Sequence, residues 1–146
     1  MKVALGADHK GYELKEKIKQ YLITLGHQVS DFGTNSAESV DYPDFGFKVA
    51  DSVARNEVDF GIAICWTGNG INIVANKVKG VRSALCLNEE MASFARSHND
   101  ANVLALSSKY VSEDQAKKIV DVWLSTKFEG GRHARRLEKI KNNELK

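Results

Sequence analysis

The sequence predicts an α/β fold: a Rossmann-like, three-layer α/β/α domain with a five-stranded parallel sheet and a C-terminal helix. Two observations predict it. Short β-branched and apolar runs alternate with longer stretches of helical period, the pattern of strand–helix units feeding a parallel sheet. The 146 residues contain no internal repeat, low-complexity tract or linker, so residues 1–146 read as one domain with a single core.

The first strand is read at Lys2–Ala7. After Gly11, apolar residues fall at Leu14, Ile18, Tyr21, Leu22 and Leu25, a helical stripe that stops at Gly26. His27–Asp31 makes a short second strand. Residues 33 to 42 read as a loop, and Pro43 suits the start of a helix running to about Arg55. The apolar run Asp59–Cys65 predicts a buried third strand. Val81–Leu85 and Val103–Leu106 supply two more, separated by a helix over Asn88–Ser97. The helix after the last strand carries Ala116, Ile119, Val120, Trp123 and Leu124 on one face. Gly130 and Gly131 break it from a final, strongly basic helix.

Composition narrows the function classes. Lys and Arg total 21 against 19 Asp and Glu, a formal charge of +2, too small to indicate nucleic-acid or membrane binding. Met1 leads directly into strand-like sequence and no apolar run is long enough to span a bilayer, so a cytoplasmic location is expected. Cys65 and Cys86 are read as free thiols of such a protein. Neither belongs to a Cys-x-x-Cys pair, which gives a zinc or dithiol role little support.

In a doubly wound sheet the ligand lies beyond the carboxyl ends of the strands. Three clusters compete for that place: Asp8-His9 after the first strand, Cys65 to Gly70 after the third, and His98-Asn99-Asp100 just before the last. Thr67 to Gly70 opens a helix, and Gly68 and Gly70 let backbone amides converge on an oxyanion, although a tight structural turn uses glycines equally well. The loop is no dinucleotide fingerprint, because Ile73 occupies the third glycine position. Gly6 to Gly11 is no Walker loop, because Tyr12 replaces the lysine. A tyrosine-phosphatase loop is excluded by Ile71 in place of arginine.

Cys65 reads either as a small buried hydrophobe or as a base whose pKa is lowered by the following helix N-terminus. Cys86, within the fourth strand, reads as core. His9 and His98 are each weighed as packing residues or as site residues where the ligand should lie, and His27 as structural. Arg132 and Arg136, at i and i+4, suit a phosphate clamp, with Arg135, Lys139 and Lys141 solvated.

The segments GADHKGYELK, ESVDYPDF, CxTGxGxxxxANK, SHNDANVLAL and FEGGRHxRR together resemble the type B ribose-5-phosphate isomerases, a family that includes allose- and galactose-6-phosphate isomerases. The likeness runs along nearly the whole chain. It implies an aldose–ketose isomerase that uses no metal or nucleotide cofactor and works through an enediolate. It also implies that Cys65 takes the proton from C2, that His98 assists ring opening, and that Asp8 and His9 bind substrate. Trp66, Thr67, Gly68, Asn69 and Gly70 then form the anion hole. Asn99, Lys109, Arg132 and Arg136 fall at substrate or phosphate positions. Another branch of the family uses a glutamate near the position of Ile71, which leaves Cys65 as the base here.

The expected assembly is a homodimer or a dimer of dimers, with active sites at the subunit boundary. Ribose 5-phosphate is the expected substrate, ahead of allose 6-phosphate, with galactose 6-phosphate last. The sequence departs from the pattern at Trp66, where glycine is usual, at Asn69 and Asn72, and at Lys109, where arginine is common. The indole of Trp66 either packs or narrows the pocket. The competing class is a flavodoxin-like or stress-protein-like module that only binds a phosphorylated ligand; it leaves Cys65, His98 and the paired arginines unexplained.

Overall fold

A computed structural model describes residues 1–146. The elements are β1 (Lys2–Ala7), α1 (Tyr12–Thr24), β2 (Gln28–Asp31), α2 (Tyr42–Ala54), β3 (Phe60–Cys65), α3 (Asn69–Asn76), β4 (Ser83–Leu85), α4 (Glu89–Ser97), β5 (Val103–Ser107), α5 (Glu113–Ser125) and α6 (Arg132–Glu144). The strands form one parallel sheet in the order β2-β1-β3-β5-β4. No helix is long and apolar enough to cross a membrane.

The three central strands are apolar at almost every position because helices cover both faces of the sheet. Alternation divides their side chains. Val3, Leu5, Ala7, Ile62, Ile64, Leu104 and Leu106 pack under α1, α4 and α5 with Leu14, Ile18, Ala92, Ile119 and the fully buried Trp123. Ala4, Ala63, Cys65, Val103 and Ala105 face Val49, Ala50, Val53, Ile71 and Ala75 of α2 and α3. The second face is lined by small residues, so α2 lies close to it. A Cβ on Gly61 would come within 2.5 Å of Val49.

The fourth strand differs most from expectation, while the second, third and fifth strands shift by one residue at one end. The fourth strand begins at Ser83 instead of Val81, because the Val81 amide closes a turn onto the Val78 carbonyl and the Arg82 amide donates to the Asn102 side chain. Cys86 lies just past that strand instead of inside it, with its amide donating to the Ala105 carbonyl. Pro43 falls in the first turn of α2, Gly130 and Gly131 both take positive φ before α6, and the N-terminal amine donates to His27 Nδ1.

Lys15 on α1 is fully buried, and its Nζ lies 2.9 and 2.8 Å from the Asp31 carboxylate oxygens and 2.8 Å from Glu16. Burial alone would raise the Asp31 pKa, but Lys15, the Gly33 amide and Lys19 outweigh it and hold the carboxyl below its ordinary range. The stability this contributes is present above the usual carboxylate pKa and is lost as pH falls through the depressed value. Asp31→Ala should cost about 3 kcal/mol in urea unfolding, because it leaves the buried Lys15 ammonium with Glu16 as its only carboxylate partner. A much smaller loss, with an unchanged m-value, would show that Asp31 does not hold Lys15.

Candidate active site

The chain runs from β1 outward to β2 and then crosses back past β1 to β3, so the winding reverses between β1 and β3 and a crevice opens beyond their carboxyl ends. Asp8 and His9 sit on one side of it and Cys65 on the other. Asp8 is buried, and its Oδ1 accepts from the amides of Lys10 and Gly11 at 3.0 Å each, which fixes the turn into α1. Its second oxygen remains for another partner. The Val40 amide donates to His9 Nδ1 at 3.1 Å, so the neutral ring carries its hydrogen on Nε2.

Across the crevice the chain turns sharply after Cys65. Gly68 has φ +81°, and a Cβ there would sit 2.5 Å from Leu85 and 3.1 Å from the Leu106 backbone. Gly70 lies against the Tyr42 ring, which a Cβ would meet at 2.7 Å. Both glycines are therefore required by space, and the first also by conformation. Asn72, expected in the loop, lies inside α3.

The turn places the amides of Ile71, Gly68 and Thr67 near the Cys65 sulfur, and each favours the thiolate. The net direction is nevertheless the reverse of that expected. Burial, with the side chain only 4% exposed, raises the thiol pKa, the Asp8 charge adds to the rise, and the amides recover only part of it. Cys86 has no such amides, and burial pushes it up to about 12. Only Cys65 therefore has groups built around its ionised form.

The end of β5 closes this side. Ser107 Oγ and the Lys109 amide donate to the Trp66 carbonyl at 2.8 and 2.9 Å, and Ser108 Oγ donates to that of Cys65. Lys109 is thus anchored beside the loop.

The third cluster is elsewhere. Cys65 pairs in register with Ser107 and Gly61 with Val103, so the amino end of β5 lies about 13 Å from the Cys65 end. His98, Asn99 and Asp100 come before that amino end, in the turn from α4 to β5. His98 therefore does not lie where the sheet's ligand was expected, and neither does Asn99. A residue that immediately precedes a parallel strand belongs to the opposite edge of the sheet from one that follows its neighbour.

Arg132 and Arg136 go with His98. The Glu129 amide donates to the Ser97 carbonyl, and His133 of α6 stacks on His98 with ring centroids 4.2 Å apart and planes 12° from parallel. Phe94 lies against His98 at 4.8 Å. Arg82 donates to the carbonyls of Asn99 and Asp100, and the buried Arg96 pairs with Asp100 at 3.0 Å, so the turn is tightly held. Arg132, Arg135 and Arg136 are all exposed on α6.

His98, Glu129 and His133 bring their ligand atoms within 4.8 Å of one another. The two imidazoles are stacked, so their in-plane lone pairs lie in near-parallel planes and do not converge on one point as a tetrahedral ion needs. The largest cavity of the chain, about 630 Å³, also lies at this edge, between Asn76, Arg82, Asn99, Leu137 and Ile140.

Residues 3–140 match the family model described as Ribose/Galactose Isomerase. The chain belongs to that family. It is 49% identical over 139 residues to ribose-5-phosphate isomerase B of Escherichia coli K12, covering 95% of this chain and 93% of the relative. Its fold superposes on ribose-5-phosphate isomerase B of Clostridium thermocellum with a TM-score of 0.98 at 54% identity, covering 99% and 98% of the two chains. The enzyme of Mycoplasma genitalium with bound ribulose-5-phosphate gives 0.96 at 47% identity, covering 99% and 97%.

The family's three-layer fold thus places the candidate residues of this chain in two groups, at opposite edges of the sheet. The carboxyl edge holds Asp8, His9, Cys65 to Gly70 and Lys109. The amino edge holds His98, Asn99, Arg132 and Arg136. Three residues that the sequence did not single out contact these groups: Tyr42 against Gly70, the buried Ser107 under Trp66, and His133 behind His98. Ser107 ends a strand and was open to detection on that ground; the other two contacts join segments far apart in sequence.

Proposed function

We propose that the protein interconverts ribose 5-phosphate and ribulose 5-phosphate, in a site built from the carboxyl edge of one copy and the amino edge of a second. The observation that carries this reading is the place of Cys65 at the carboxyl end of β3, across the crevice from Asp8 and His9 and directly before the glycine turn into α3. Backbone amides of that turn favour the ionised thiol, as a proton-abstracting thiolate requires.

The Cys65 thiolate takes the proton from C2 of the open-chain aldose. The electron pair forms the C1–C2 double bond and charge moves onto the C1 oxygen. Proton transfer between the two oxygens and return of the thiol's proton to C1 then give the ketose, with no net redox change. The loop amides stabilise the enediolate charge, His98 of the second copy assists ring opening, and Arg132 and Arg136 of that copy grip the phosphate together with Lys109 of the first.

Support for two copies comes from the separation of the half-sites, which no side chain spans, and from the exposure of Phe94 and Ile73 at 50% and 51%. The assembly is a homodimer or a dimer of dimers, and the chemistry needs no cofactor. The test is turnover of purified enzyme on a panel of pentose and hexose phosphates. Ribose 5-phosphate should give the highest kcat/KM, with allose 6-phosphate second. A preference for a hexose phosphate would replace the substrate while leaving the reaction class, and no turnover of any would remove both.

A further inference from the structure

Trp66 stands next to the proposed base and is 44% exposed, an unusual setting for so large an apolar ring. Its backbone is held by Ser107 and Lys109, as described above. Its ring is occupied by cations: Lys10 Nζ lies 5.0 Å and Lys109 Nζ 5.6 Å from the indole centroid. Lys109 also lies 5.5 Å from the Tyr110 ring.

Neither ammonium takes part in an ion pair. Lys15, Lys19 and Lys117 all have carboxylate partners in this chain, but Lys10 and Lys109 have only aromatic faces. Two like charges gathered on one ring repel each other, and a ring quadrupole attracts each without neutralising either. Such an arrangement remains ready for an anion. Lysine lacks the fork that orients arginine on a phosphate, so a flat aromatic surface supplies the orientation that its flexible stem does not. Lys10 and Trp66 also line a cavity of about 390 Å³ with Lys17, Ser108, Ser112 and the acidic residues Glu13 and Glu113, so there is open space beside the ring on whose lysine side an anion would sit.

We infer that Trp66 is a positioning residue: its indole holds the ammonium groups of Lys10 and Lys109 in place for the substrate's phosphate at the carboxyl edge of the sheet. This rests on the sugar-phosphate reading, and it assigns the indole a part in anion recognition instead of simple packing. The ring acts through the lysines and takes no part in proton transfer.

The experiment measures inhibition by inorganic phosphate, together with kcat and KM, in Trp66→Leu, Trp66→Phe, Lys10→Met/Lys109→Met and the combination of Trp66→Leu with both methionine changes. Trp66→Leu should raise the phosphate Ki and the KM about three- to tenfold with kcat within about twofold, the size expected from losing two exposed cation–π contacts. Trp66→Phe should recover part of the loss. In the background without the two lysines, Trp66→Leu should have little further effect, because the ring would have nothing to position.

Phosphate titration followed by tryptophan emission gives a reading independent of turnover. Trp123 is fully buried, so a change on adding phosphate belongs to the exposed Trp66. A chain that turned over no pentose phosphate but showed this change would keep the inference and lose the proposed activity. An unchanged Ki in Trp66→Leu, or an equal penalty with and without the lysines, would overturn it.

Discussion

Cys65→Ala should lower kcat by about 10²–10⁴-fold or more while leaving phosphate inhibition nearly intact, because it removes the base and none of the phosphate-binding cations. The side chain lies in the face packed by α2 and α3, and losing one sulfur there should leave the fold in place. The pH profile adds a second reading. Burial and the Asp8 charge hold the thiol above its ordinary pKa, so at neutral pH the thiolate is the minor form in the free enzyme. The logarithm of kcat/KM should then rise with pH toward a slope of one through the neutral and mildly alkaline range. The same sign applies to stability: a pKa raised on folding gives stability that is intact below the unfolded thiol's pKa and is lost as pH rises through the folded value. Stability should therefore fall on the alkaline side, and urea unfolding followed by circular dichroism separates that loss from the titration of the base. Near-normal turnover by Cys65→Ala would remove the thiol from the mechanism, and a flat profile would show that proton abstraction is not limiting.

The second large effect is a gain. Cys65→Ala and His98→Asn should each be strongly impaired alone, and co-expression of the two should restore activity. A mixed dimer has one site in which both changes meet and one in which neither does. Random pairing makes about half of the dimers mixed, so recovery should approach about a quarter of the wild-type rate. Different affinity tags on the two chains allow the mixed species to be isolated and assayed alone. If mixed dimers were present but their activity equalled only the mean of the two parents, the site would lie within one chain. The roughly 13 Å between the strand ends predicts otherwise.

Which residues form strands and helices was set by local pattern. The apolar runs read at Lys2–Ala7, Asp59–Cys65 and Val103–Leu106 and the 3.6-residue stripes of α1 and α5 identify elements without reference to anything distant, each strand to within a residue. The paired glycines of the turn after Cys65 were equally plain, because a helix entered through a crowded, left-handed turn requires them. The amino-edge place of His98 was also implicit, since a parallel strand that starts after it must begin on that edge. Grouping it with Cys65 ignored chain direction.

The tertiary structure alone decided three things. It set the balance at Cys65, where desolvation by the sheet and α2 exceeds the help of the loop amides, and no spacing in the sequence measures burial. It stacked His133 on His98 across 35 residues, and it placed Lys10 and Lys109 on the Trp66 ring. Those contacts depend on which strands are neighbours in the β2-β1-β3-β5-β4 order, and neighbours in a sheet are chosen by packing of the whole chain, not by the period of any one segment.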